Sequence, residues 1–98
     1  MPALDWIWRP DPRRAAASRI GRLLRSFGLP VSEAGYADLH RLSIADPERF
    51  WRAALKDLGL EWQNAPERML DASRGPAWAD WFPGGRINAA HGCIERWL

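Results

Sequence analysis

Few side chains in this chain of 98 residues are of a type and spacing that could carry out chemistry. His40, His91 and Cys93 are the candidates for a metal site or a nucleophile. Two histidines and one cysteine are too few for a zinc set, and His91 and Cys93, two residues apart, leave different sides of a helix. The same geometry rules out a Cys–His nucleophile pair, so all three are read as structural. Gly84-Gly85 has no following Lys-Ser or Lys-Thr and reads as a turn, not a phosphate loop. Lys56 is the only lysine and falls mid-helix, facing solvent. Asp46 and Glu48 form a carboxylate pair, but Pro47 between them makes helix capping the better explanation. No catalytic residue is assigned.

Charge is the next possible source of function. Residues 1–30 hold six Arg and two Asp, whereas residues 31–98 hold eight basic and ten acidic groups. Arg13, Arg14, Arg19, Arg22 and Arg25 share a helix without interleaved aromatics. They read as a solvated face, not a nucleic-acid surface. No apolar run approaches the ~20 residues of a membrane span. Asp5 and Asp11 argue against reading the Arg- and Ala-rich start as a transit peptide. One cysteine allows no internal disulfide, which fits a cytoplasmic location. Tryptophan is the unusual component: seven in 98 residues. Each offers on the order of 200 Å² to bury, more than a small interior accommodates. Some are expected to face a partner, either another chain or a missing part of the same chain.

These residues lie on a mainly α framework. Residues 1–11 read as an extended tail, with Trp6 and Trp8 on one side, and residues 12–98 as one helical domain. Asp11-Pro12 starts a helix expected over 12–27, with Ala16, Ile20, Leu23, Leu24 and Phe27 apolar and Gly28 closing it. Residues 32–43 read as a shorter helix, its first turn weakened by Gly35. Asp46-Pro47-Glu48 opens the strongest helix, with Phe50, Trp51, Ala54, Leu55 and Leu58 on one face and Gly59 at its end. Residues 60–86 hold Pro66, Gly75, Pro76, Pro83, Gly84 and Gly85, and read as a long wrapping loop with one short strand within 68–72. Asn88 caps a last helix whose stripe of Ala90, Ile94 and Trp97 runs to Leu98 without a stop signal, so the end reads as cut. The expected fold is a small bundle of about four helices.

Several of these elements together resemble the segment that opens acetyl-CoA synthetase-like enzymes. They are Tyr36-x-x-Leu39, Ser43, Asp46-Pro47-Glu48-x-Phe50-Trp51, Leu60-x-Trp62, Met69-Leu70-Asp71, the turn Trp81-Phe82-Pro83-Gly84-Gly85-Arg86-Ile87-Asn88, and Cys93-Ile94-Glu95-Arg96. Ile87 stands where the family has Leu, and Gly92 where it has Asn. Trp8-x-Pro10 before an Arg-bearing helix is similar to the start of acetoacetyl-CoA synthetases, so either branch is open. The resemblance implies an AMP-forming acyl-CoA synthetase. The full enzyme would use ATP, Mg and CoA to activate a short acid, with its phosphate loop and catalytic lysine outside these residues. It also implies that this segment packs on the large adenylation domain and is inactive alone. Phe50, Trp51, Trp81, Phe82, Gly84, Gly85 and Asn88 would be structural motif residues with no catalytic, cofactor or metal role. The alternative is a separate Trp-rich interaction module that docks on a synthetase or on itself.

Overall fold

The computed structural model describes residues 6–98, and they are mainly helical. The part of the expected tail before Trp6 lies outside the described residues. From Trp6 to Asp11 there is no helix or strand, and Trp6 and Trp8 are exposed. The chain forms two compact units, divided after Leu39.

In the first unit Asp11 caps α1 (Pro12–Ala17), its carboxylate accepting the Arg13 and Arg14 amides at 2.9 and 3.2 Å. The single helix expected over 12–27 is broken at Ser18, and α2 (Arg19–Ser26) starts afresh. Ser18 adopts extended backbone (φ −71°, ψ 162°), and its hydroxyl donates to the Ala15 carbonyl at 2.6 Å and accepts the Gly21 amide at 3.0 Å. One hydroxyl thus ends α1 and caps α2. The break brings Gly21 against the α1 backbone, where a Cβ would sit 2.3 Å from the Ala15 oxygen. Gly28 closes α2 as expected (φ +69°), with the Leu29 amide bonded to the Leu24 carbonyl.

Helix α3 (Glu33–Ala45) runs two residues past the expected end, and the unit boundary falls within it. The Ser32 hydroxyl accepts the Gly35 amide at 3.1 Å. Gly35 does not loosen this start. It is buried, and a Cβ there would lie 1.9 Å from the Pro30 oxygen, so the absent side chain is what lets the first turn pack on Pro30. Among the described residues of this unit, Leu24 and Leu39 are the buried large apolar side chains, each 3% exposed.

The second unit is built on α4 (Pro47–Asp57), with Asp46 as its N-cap. Gly59 (φ +71°) ends it, and the Leu60 amide bonds the Leu55 carbonyl, the same closure as at Gly28. The segment expected to be a wrapping loop is instead folded on itself. Residues 63–71 and 80–86 run antiparallel. Leu70–Asp71 (β1) pairs with Asp80–Trp81 (β2), Leu70 opposite Trp81. The pairing continues beyond these strands through Phe82 to Met69, Glu67 to Pro83, and a bridge between Asn64 and Arg86. The short strand expected within 68–72 is β1, and β2 is a second strand paired with it. Ala54 on α4 and Met69 beside β1 are both buried.

The last helix is shorter than its pattern suggests. Asn88 caps α5 (Ala89–Cys93) as expected, accepting the His91 amide at 3.1 Å. At Ile94 the backbone leaves helical geometry (φ −128°, ψ −62°), and Glu95–Trp97 form a single 3₁₀ turn. Ile94 and Trp97 are left exposed, so the expected stripe is not buried among the described residues.

Candidate functional site

The family-motif residues converge in the second unit. Phe50 and Trp51 are neighbours on α4, and their rings meet edge to face with centroids 5.3 Å apart. Trp51 in turn meets Trp81 of β2 edge to face at 5.8 Å. Phe82 stacks obliquely on both Trp81 and Trp62, at 5.8 and 5.6 Å. The result is a continuous chain of five aromatic rings joining α4, the β2 arm and the arm that carries Trp62. Such contacts add about 0.5–1.5 kcal/mol each beyond the area they bury.

The turn after Phe82 makes this row possible. Phe82 itself takes a left-handed backbone (φ +55°), a conformation costing roughly 1–3 kcal/mol for a residue with a Cβ. Its surroundings hold it there. Its amide donates to the Met69 carbonyl at 2.8 Å, its carbonyl accepts the Gly85 amide at 2.9 Å, and its ring lies between two tryptophans. Gly84 follows with φ +76°, where glycine carries no steric cost. Gly85 is needed for a different reason, close approach. A Cβ on it would stand 2.8 Å from Trp62 Cζ3 and 3.2 Å from Pro66 Cβ. Asn88 then starts α5. All seven motif residues take part in turning, packing or capping within this unit.

Two polar arrangements supplement the rings, and sequence reasoning missed both. The sequence places Glu48 only in the first turn of α4. Its carboxylate also reaches the opposite arm, accepting the Met69 amide at 2.6 Å while pairing with Arg52. The Met69 amide, with Arg52 assisting, holds the Glu48 carboxyl below the usual glutamate range against a smaller opposing effect of desolvation. Asp71 is lowered as well, first by the hydrogen bonds from Ser73. The sign for Glu48 follows from its lowered folded value: its stabilisation is complete above the ordinary glutamate range and disappears as pH falls through the folded value. Glu48→Gln is therefore expected to lower the urea midpoint at neutral pH. The gap from wild type should close in acid, and parallel curves at both pH values would refute the assignment.

The second arrangement gathers Glu61, His91, Glu95 and Arg96. His91 Nε2 lies 2.6 Å from Glu61, its Nδ1 lies 3.6 Å from Glu95, and Arg96 lies 3.5 Å from Glu61. Arg96 also donates to the Gly59 carbonyl at 2.7 Å, a cation on the C-terminal end of α4. A hollow of about 300 Å³ borders this cluster. His40 and Cys93 belong to neither arrangement, and Cys93 is exposed. Among the described residues no group of three or more His, Cys, Asp and Glu is placed to hold a metal ion.

The order of these elements, from the Phe-Trp helix through the Gly-Gly turn to the Asn-capped helix, is that of a known protein family. Residues 36–93 match the family described as the acetyl-coenzyme A synthetase N-terminus. The chain belongs to that family. Similar curated proteins include hexanoyl-CoA synthase of Cannabis sativa, 30% identical over 98 residues, which covers 90% of this chain and 14% of that protein. Acetyl-coenzyme A synthetase of Bradyrhizobium diazoefficiens is 36% identical over 70 residues, 69% of this chain and 10% of the enzyme. Among solved structures, acetoacetyl-CoA synthetase from Streptomyces lividans superimposes with a TM-score of 0.66 at 28% identity, over 94% of this chain and 16% of that one. This synthetase N-terminal segment thus spans a small part of each relative, and its likeness includes both the acetyl and the acetoacetyl branches. The matched region contains the aromatic row, the Gly84-Gly85 turn, Glu48 and His91 together. No helix among the described residues is long and apolar enough to cross a membrane.

Proposed function

We propose that this chain is the structural N-terminal segment of an AMP-forming acyl-CoA synthetase, inactive by itself, which packs on the large adenylation domain of that enzyme. The observation that carries this reading is how the motif is used. Its rings join α4 to the paired arms, and its glycines form the turn that places them. Meanwhile Trp78 and Trp97, 68% and 74% exposed, and Ile87 and Ile94 face outward, as a surface made to be covered would.

ATP, Mg and CoA belong to the activity that the relatives' names imply, and the residues here do not fit them. Pro83 has no N–H, and the Gly85 and Arg86 amides donate to the Phe82 and Asn64 carbonyls, so the turn offers no cradle of free amides to a phosphate. No step of the reaction is therefore derived through these residues. The acid that the full enzyme activates would be chosen outside this segment. A reducing compartment such as the cytoplasm accords with a single exposed cysteine.

The test is direct. The purified 98-residue chain is given ATP, Mg, CoA and, in turn, acetate, acetoacetate and hexanoate, and acyl-CoA is measured by chromatography. Formation at the level of the protein-free control is expected. Turnover above it would overturn the reading.

A further inference from the structure

Residues 89–98 are attached to the rest of the second unit by charge, not by a core. None of them is buried, and Ala89, Ala90, Cys93, Ile94, Trp97 and Leu98 are all exposed. The half-buried positions are His91, Gly92 and Arg96. Both of the side chains among these reach one residue, Glu61, His91 at 2.6 Å and Arg96 at 3.5 Å. Arg96 adds its bond to the Gly59 carbonyl. The backbone contributes nothing to the joint. The Gly92, Ile94, Trp97 and Leu98 amides all donate to carbonyls within residues 88–95. The segment is tied to itself as well, through the Trp97 indole N–H on the Gly92 carbonyl at 3.2 Å and the Arg96 guanidinium over the Trp97 ring. The hollow of about 300 Å³ lies at this joint, lined by Glu61, Trp62 and Gln63 and by Asn88, His91 and Glu95, where packed side chains would otherwise seal it.

The energetic consequence is a weak attachment. Ion pairs as exposed as these contribute from nothing to about fivefold in an equilibrium. A five-residue helix does not stand alone in water, so α5 stays helical only while it is docked. The aromatic row and the pairing of the two arms use no residue after Asn88. We propose that α5 and the 3₁₀ turn after it form a strap that opens as a unit, with Glu61 as its latch, while α4 and the paired arms stay folded. Opening releases the Glu61 carboxylate and the Gly59 carbonyl at the end of α4, and lets this end of the segment change direction without disturbing the motif. The inference does not depend on the synthetase reading.

The experiment is native-state hydrogen exchange, followed by NMR on the ¹⁵N-labelled 98-residue chain. The Gly92, Ile94 and Trp97 amides report the strap, and the Phe82 and Arg86 amides report the paired arms. In the unaltered chain the strap amides should be protected, but at least about tenfold less than those of the arms, as a locally opening element is. Glu61→Gln should lower strap protection by up to about fivefold and leave the arms unchanged. His91→Gln should lower it too, but with much less effect once Glu61 is already Gln. Raising NaCl from 0.05 to 1 M should lower strap protection relative to the arms, because salt screens exposed charges. The proposal is overturned if strap and arms are equally protected, which would make them one cooperative body. It is also overturned if the strap amides of the unaltered chain exchange as fast as an unfolded peptide, since there is then no docked state. Glu61→Gln acting equally on strap and arms, or not at all on the strap, removes the latch. So does an undiminished effect of His91→Gln in the Glu61→Gln chain, or a ratio of protections that salt leaves unchanged.

Discussion

Trp51→Ala is expected to lower the unfolding free energy by about 3 kcal/mol, the lower end of the range for removing a large aromatic from a packed site. The lower end applies because Trp51 is only half-buried. It is nevertheless the ring through which α4 meets the β2 arm, edge to face with both Phe50 and Trp81. For a domain of this size that loss is a large share of the total stability. Trp51→Phe keeps an aromatic edge for Trp81 and should recover part of the loss. The check is urea denaturation followed by far-UV circular dichroism, since removing one tryptophan of seven complicates fluorescence. The ring contact also makes a second, sharper expectation. The losses from Trp51→Ala and Trp81→Ala should be non-additive by about 0.5–1.5 kcal/mol in a double-mutant cycle, whereas two independent sites would add.

What could be read from the sequence depended on how local each signal was. Asp11-Pro12, Asp46-Pro47, Gly28, Gly59 and Asn88 act on the first or last turn of their own helices, and the structure shows each in its expected place. Ser18 is an equally local cap, but it was hidden in an apolar pattern that continues at helical spacing through the break. The break closes Gly21 onto Ala15, a contact between two helices that spacing alone does not reveal. In residues 60–86 the second strand and the pairing are hidden for a related reason. Their prolines and glycines correctly exclude a helix, but no β-branched residue marks the arms as paired. The register of Asn64 with Arg86 is set across more than twenty residues. The motif residues were legible by resemblance, whereas their physical roles were not. Nothing in Glu48's position on α4 announces that its carboxylate holds the Met69 amide, 21 residues away.

The two adjacent glycines of the motif should respond differently to the same substitution, because geometry requires each for its own reason. Gly85→Ala places a methyl 2.8 Å from the Trp62 ring, 3.0 Å from the Phe82 carbonyl oxygen and 3.2 Å from Pro66 Cβ. The oxygen cannot retreat without releasing the Gly85 amide that it accepts, and Pro66 is buried. The strain must therefore move Trp62 away from Phe82, at an expected cost of about 1–3 kcal/mol. At Gly84 the space is open, with the nearest atom 3.9 Å away on the Glu67 side chain, and only φ +76° opposes a side chain. Gly84→Asn, a residue that tolerates this conformation, should cost less than Gly84→Ala. Gly92, with nothing within 4 Å and a place inside α5, serves as the control. Alanine there should be neutral or stabilise by up to about 1 kcal/mol from helix propensity. Thermal melts of the four variants check the ordering. Equal losses at Gly84 and Gly85 would mean that flexibility of the turn, not the fit of Trp62 against the backbone, is what the motif preserves. A cycle with Trp62→Ala separates the two accounts. If the ring is the obstacle, Gly85→Ala should cost markedly less once the ring is gone, and in that case the pair of glycines is explained by one turn and one contact.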